Sequence, residues 1–284
     1  MAPPGKKGQR LVLHLDSLPT IPATAAAVFQ VINDPSATSR DLEAAVKRDQ
    51  SLAAGMLRVA NSAIYGFSRS IDSVREAIVL IGVRKMRDLA TSIASAGLFK
   101  DDSSGLVDAA RLWRHALATA CWARRVIEYR KEWSVDVAVS AALLHDLGIV
   151  VLCQCDGDRY RSLLRRAQQD TRAVHVLEEE ELGITHARAG GILCAKWQLP
   201  VSLTQLISHH HSQIPPTDPA AGVLGVADYL ANAIGCGPFE WEERWQPGDD
   251  YLEALGLTAA DLEVLLQARK DVIDHVAVID SIKQ

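Results

Sequence analysis

The sequence predicts an all-α protein. Apolar residues recur at three- and four-residue spacing along most of its length, cap residues stand where those patterns begin, and Gly or Pro stands where they end. No segment alternates with a period of two over strand length, and only short pieces such as Ile149-Val-Val-Leu152 are ambiguous.

Residues 1–14 are expected to be flexible. Leu18-Pro-Thr-Ile-Pro22 then opens a helix with Pro at an early position, and Ala23 to Ile32 continues it until Asn33-Asp34-Pro35 stops it. Ser39 precedes the short helix Arg40 to Val46, and Asp49-Gln-Ser51 opens another from Leu52 to Asn61. Ser73-Val-Arg-Glu76 has the capping-box pattern, in which two side chains reciprocally satisfy exposed amides, and Gly82 closes that helix. A further helix runs from Val83 to about Ala96. Phe99 to Gly105 is polar and small, which makes it the best boundary between two helical units. Beyond it, helices are expected at about 106–130, 134–146, 157–169, 172–182, 186–197, 200–211, 219–235, 249–256 and 259–280.

Composition narrows the function. A chain of 284 residues with 48% hydrophobic content can bury one large core or two adjoining ones. The net charge is −5 and the sequence pI about 6.0, so no basic field gathers nucleic acid or anionic lipid. The five cysteines follow no repeated C-x-x-C spacing and read as reduced thiols. The basic start lacks the apolar stretch of a secretory signal, and no apolar run is expected to reach the ~18 residues of a membrane span. A cytoplasmic location is therefore expected.

The chemistry-bearing feature is His145-Asp146, which ends the apolar run Val137 to Leu144 and precedes Leu147-Gly148. His115 lies upstream; His186, the run His209-His210-His211 and Asp228 lie downstream, each in its own helical stretch. Neutral imidazoles and carboxylates are ligands for a borderline divalent metal, and an Asp beside a His can bridge two ions. Other candidates read as structure. His14, His175 and His275 are expected to be hydrogen-bonded core residues, Asn61 and Tyr65 to cap and pack, and Trp241 and Trp245 to pack on the bundle. The run Glu178 to Glu181 is expected to be a solvated face, with Glu181 the one member placed to accept from a metal-ligating His.

Several motifs, taken in order, resemble a known family. Leu18-Pro-Thr-Ile-Pro22, Leu57-Arg-Val-Ala-Asn-Ser-Ala-Ile-Tyr-Gly66, Ser73 to Gly82, Trp113-Arg-His115, Leu143-Leu-His-Asp-Leu-Gly148, Glu181-Leu-Gly-Ile-Thr-His-Ala187, Trp197-Gln-Leu-Pro200 and His210-His211 are similar to those of the HDOD domain, the HD-related output domain of bacterial signalling. The resemblance covers about residues 15–235. It implies a small N-terminal helical bundle, 15–100, packed on an HD-domain-like helical bundle, 106–235, and leaves 236–284 as a C-terminal helical extension. It also implies a ligand set of His115, His145, Asp146, His186, His210, His211 and Asp228, holding one or two divalent ions of Fe, Mn or Zn. The Trp197 to His-His spacing of thirteen residues leaves His209 as an extra.

Two departures from HD-type hydrolases bear on activity. Ile149 stands where active HD-GYP relatives carry a Lys after the doublet, and Ser212 to Asp218 lacks their Gly-Tyr-Pro segment. Arg111 stands where some relatives place a Glu, and is expected to repel a further ion. The resemblance thus implies a regulatory output module acting through contacts with a signalling protein, with no nucleic-acid or membrane partner. The alternative is a metal-dependent phosphohydrolase of a nucleotide or cyclic dinucleotide, with Asp146 as the bridging catalytic ligand. A nucleotide bound without cleavage is a third reading. No receiver, sensor or cyclase segment accompanies the motifs, so input is expected from a separate partner.

Overall fold

The computed structural model describes residues 21–34, 36–99, 107–131, 135–212, 214–241 and 245–282. The expected flexible start, His14 and most of the Phe99–Gly105 boundary lie outside the described residues. Among those described, the regular structure is helical throughout: α1 Ala23–Asn33, α2 Ser39–Lys47, α3 Gln50–Ala60, α4 Val74–Ile81, α5 Val83–Ser95, α6 Ala109–Arg130, α7 Val137–Leu144, α8 Leu147–Cys155, α9 Gly157–Asp170, α10 Val174–Leu182, α11 His186–Lys196, α12 Val201–Ser208, α13 Pro219–Ala233, α14 Asp249–Glu253, α15 Ala259–Leu266 and α16 Arg269–Asp280.

Local chemistry explains most boundaries. Asp49 Oδ1 accepts from the Leu52 amide at 3.0 Å, and Asp108 Oδ1 from the Arg111 amide at 2.9 Å, each satisfying an amide that its helix leaves unpaired. Thr38, one residue before the expected cap Ser39, forms a complete capping box with Asp41. At α4 only half of the expected box forms: Ser73 Oγ accepts from the Glu76 amide at 3.1 Å, while Glu76 reaches back to the Asp72 amide at 3.3 Å. The ambiguous Ile149–Leu152 piece is helical within α8. The expected helix 259–280 is two helices, separated at Gln267-Ala268.

The chain divides into two compact units, Phe99–Arg269 and Ile21–Leu98 with Lys270–Gln284. The sequence set 236–284 apart as one extension; instead 236–269 groups with the larger unit and the remainder with the smaller. Packing explains the latter assignment. Ile282 and Ile93 approach the position of a Cβ on Gly55 to 3.1 and 3.4 Å, so the missing side chain on α3 leaves room for the C-terminal segment. In the smaller unit α5 packs on α1, α3 and α4 around the buried Phe29, Leu42, Met56 and Met86. Asn61 clasps the loop that follows α3, donating from Nδ2 to the Leu57 and Ile71 carbonyls at 2.9 Å and accepting from the Ile71 amide at 2.7 Å. Tyr65 stacks on Phe67 and meets His275 edge-on. Both residues thus have the structural roles expected of them.

In the larger unit α6 packs on α7 and α13, α11 on α8 and α12, and α12 on α7. Trp113 and Trp122 of α6 are fully buried, Trp241 stacks on Phe239, and Trp245 meets Tyr251 edge-on. One expectation fails here: Val137–Cys155 is long and apolar enough to cross a membrane by length and composition. It is 89% buried within the protein and is two helices broken at His145-Asp146, so its apolar character belongs to the core of the bundle.

Candidate metal centre

His145 and Asp146 occupy the turn between α7 and α8. Asp146 stands at the cap position of α8, yet its carboxylate makes no cap hydrogen bond and instead faces four imidazoles. Helix α11 comes close because Gly148 has no side chain: a Cβ there would lie 1.8 Å from the His186 carbonyl oxygen and 2.7 Å from the Gly190 nitrogen. His186 is the first residue of that helix. The preceding helix α10 ends at Gly183, whose φ of +70° turns the chain back so that Glu178 lies beside His186.

The seven sequence-derived residues fall into two groups of closely spaced donor atoms, His115, His145 and Asp228 on one side and Asp146, His186, His210 and His211 on the other. Asp146 connects them. Its Oδ2 lies 3.3 Å from His115 Nε2 and 3.4 Å from His145 Nε2, while Oδ1 lies 3.3 Å from His186 Nε2 and 3.5 Å from His210 Nε2. Asp228 Oδ1 stands 3.2 Å from His115 Nε2, and Asn232 Nδ2 donates to that same oxygen at 2.9 Å.

Four imidazoles are fixed in one tautomer. Carbonyl oxygens only accept, so Nδ1–H donates from His115 to Cys236 O, from His145 to Ala142 O and from His210 to Ile207 O, each at 2.8 Å. His186 Nδ1 donates to Glu178 Oε2 at 2.7 Å; the same oxygen accepts the His186 amide at 2.7 Å, and Tyr160 Oη donates to Oε1 at 2.6 Å. Each ring thereby turns Nε2 toward Asp146. Glu178, not Glu181, is the carboxyl group behind a candidate ligand, His186; Glu181 pairs with Arg166 at 3.1 Å. A sequence signal existed, since Glu178 shares the buried face of α10 with Val174 and Leu182, each four residues away.

The donor set fits a metal. Ligands about 2.1 Å from a tetrahedral ion stand about 3.4 Å from one another, and the contacts to Asp146 all lie at 3.3–3.5 Å. His210 Nε2 is buried without a hydrogen-bond partner. His211 Nε2 approaches His186 Nε2 to 2.7 Å, and His115 Nε2 approaches His145 Nε2 to 3.1 Å, contacts that require a proton or a cation between facing lone pairs.

The field within the cluster is uneven. Burial alone would lower His115, but hydrogen bonds to Asp146 and Asp228 hold its pKa up to about 10. His186 is likewise raised, burial being outweighed by the Glu178 charge and by Asp146. Burial pushes His210 down, and it pushes His211 well down with help from the neighbouring imidazoles. Burial would raise Asp146, yet His145, His115 and His186 hold it well below the usual carboxylate range. His175, expected to be an ordinary core residue, stacks on His211 at 4.1 Å, and burial depresses its pKa to about 4.

Two side chains that bear on turnover are placed as follows. Ile149 is buried at 1% exposure. Arg111 donates from Nε to the Gly237 carbonyl at 2.8 Å and pairs with Glu240, so the loop after α13 engages the cation.

Residues 18–213 match the HDOD domain. The chain belongs to the HDOD domain family. An HDOD domain protein of unknown function from Geobacter sulfurreducens is similar in structure, with a TM-score of 0.79, 21% identity, and coverage of 97% of this chain and 98% of that one. A Marinobacter aquaeolei VT8 protein named for signal transduction has a TM-score of 0.77 at 22% identity, covering 96% of this chain and 65% of that one. A Shewanella amazonensis SB2B protein named as a phosphohydrolase has a TM-score of 0.72 at 20% identity, covering 95% and 98%. A Treponema pallidum (strain Nichols) protein, itself uncharacterized, is 24% identical over 200 residues, which is 70% of this chain and 38% of that relative. The HDOD chain thus spans well under half the length of that curated relative.

Proposed function

We infer that this HDOD protein is a regulatory output module of bacterial signalling that binds a divalent metal and acts through contact with a separate signalling protein in the cytoplasm. The carrying observation is a complete His/Asp ligand cluster whose neighbour at the position of the active relatives' Lys is the buried, apolar Ile149. A cluster so arranged can hold ions and tie α6, α7, α11, α12 and α13 together. Without a fixed cation beside it, it lacks a group that would stabilise charge developing on a phosphate. Arg111 does not take that role, because the loop holds it.

Asp146 supports a two-ion reading: its two oxygens face different ligand groups, and Fe, Mn or Zn each accept imidazole with carboxylate. Bound metal would supply Lewis acidity there; His115, His145, Asp146, His186, His210, His211 and Asp228 would hold it. The second reading is metal-dependent phosphodiester hydrolysis. It is favoured by the completeness of the ligand set and by a structural relative named as a phosphohydrolase.

One experiment separates the two. Protein purified without a chelating column is assayed for metal by mass spectrometry and for turnover of an aryl phosphodiester with added Mn²⁺ or Fe²⁺. The output-module reading expects bound metal and no turnover. Metal-dependent turnover abolished by Asp146→Ala replaces it with the hydrolase reading.

A further inference from the structure

The smaller unit carries an exposed apolar surface that the His/Asp cluster does not use. Of the ten large apolar side chains exposed among the described residues, four lie between residues 64 and 80: Ile64, Phe67, Val79 and Leu80. Val79 is 77% exposed, and a β-branched residue is a poor helix former, so neither burial nor helix propensity accounts for it. On α4, Glu76, Val79 and Leu80 stand three and four residues apart and share a face turned away from the buried Val74, Ala77 and Ile78. Arg69 pairs with Glu76 at 2.6 Å, which holds the loop bearing Ile64 and Phe67 to that same face. The loop is built in advance of any partner. Asn61 ties its two ends together at Ile71, Phe67 stacks on Tyr65, and Tyr65 meets His275 edge-on.

Charge selects the occupant. Residues 57–87 hold six cations and two carboxylates in a chain of net charge −5. Arg75 is turned to Glu43 at 3.0 Å and Arg87 to the Ala37 carbonyl at 2.6 Å, but Arg58, Arg69, Arg84 and Lys85 are exposed, against the carboxylates Asp72 and Glu76. A second copy would bring the same positive rim against itself, and a bilayer would press Glu76, in the middle of the apolar face, against anionic headgroups. We propose that Ile64, Phe67, Val79 and Leu80 form the docking surface for an acidic segment of a partner protein, one whose apolar side chains stand among Asp and Glu. This deepens the output-module reading and rests on it for the existence of a partner. Because loop and helix are already fixed, little ordering cost opposes docking.

The test is fluorescence anisotropy with the full chain and two labelled amphipathic peptides, one built of leucine and glutamate and the other with lysine for every glutamate. The acidic peptide is expected to bind and the basic one not. Val79→Ser and Phe67→Ser should each weaken binding about tenfold, and Lys85→Glu severalfold with a shallower salt dependence. Val201→Ser, which removes an exposed apolar side chain elsewhere, should leave binding unchanged; melting temperatures check that each variant folds. Equal binding in native protein, Val79→Ser and Phe67→Ser, or equal binding of the two peptides, would overturn the proposal. So would a dimer seen by sedimentation, or attachment to phosphatidylglycerol vesicles, that Val79→Ser abolishes, each naming a different occupant. With phosphodiester turnover assayed in parallel, metal-dependent turnover beside specific peptide binding would remove the output-module reading and keep the surface, whereas neither turnover nor binding would remove the surface alone.

Discussion

The two halves of the cluster differ in how they are satisfied. His115 lies between two carboxylates, Asp146 at 3.3 Å and Asp228 at 3.2 Å, and the rings of His115 and His145 are both oriented by main-chain carbonyls. That half is balanced within itself by a proton. On the other side His186 and His210 face a single oxygen of Asp146 and His211 meets His186 at 2.7 Å; His210 Nε2 has no hydrogen-bond partner, and His186 is held by a buried side chain, Glu178. A proton on the raised His186 can bridge to His211, but His210 Nε2 stays an orphaned buried acceptor, which is costly in a dry interior and which a cation would satisfy. One bridging carboxylate therefore serves a self-sufficient group and a needy one.

Removing the bridge should have the largest effect. Asp146→Ala is expected to bring metal content of both groups to background, and to lower stability by about 1–3 kcal/mol as its buried partners lose an acceptor; plasma mass spectrometry and a urea melt read the two. Gly148→Ala follows, since its Cβ would enter the His186 carbonyl. A loss of about 3 kcal/mol or more is expected from such overpacking against backbone, and a melting temperature within a degree of native would show that α8 and α11 can separate without cost.

Finer changes sharpen the comparison. At substoichiometric metal, His186→Ala should lose the tighter-bound ion and Asp228→Ala should retain it; the reverse order would mean that the carboxylate-rich half leads. Glu178→Gln should weaken metal binding about 10–100-fold by disturbing the orientation of His186, whereas Glu181→Gln should leave it unchanged, as competition with a fluorescent chelator would report. The smallest effect is on pH. In metal-free protein the folded pKa of His115 is raised to about 10. Its contribution is therefore fully present below the unfolded value of about 6.5 and is lost as pH rises through about 10. Chemical melts between pH 7 and 10 should show native protein losing stability in that window and His115→Gln losing less.

Much of this was legible in the chain because helices announce themselves locally. Asp49, Ser73 and Asp108 cap helices that their own sequence neighbourhoods specify. The His145-Asp146 doublet stood out because two polar residues interrupt an otherwise apolar stretch. Two errors share a cause, which is that hydropathy and charge are read one segment at a time. Val137–Cys155 exceeds a membrane-span threshold only when its break at the doublet and its burial are ignored. The Glu178–Glu181 run reads as a solvated face only until the helix is rotated and Glu178 falls among Val174 and Leu182.

By itself the sequence determined the helices and most of their ends, since caps and periodicity act within a few residues of one another, while its family resemblance singled out the seven ligand candidates. Tertiary structure decided the rest. Only the approach of α8 to α11 at Gly148 puts Asp146 against His186, forty residues further along the chain. The turn after α10 chooses Glu178 over Glu181, and packing at Gly55 groups 270–284 with the smaller unit. These are contacts between distant segments, and their energies depend on distance and burial that no local pattern encodes.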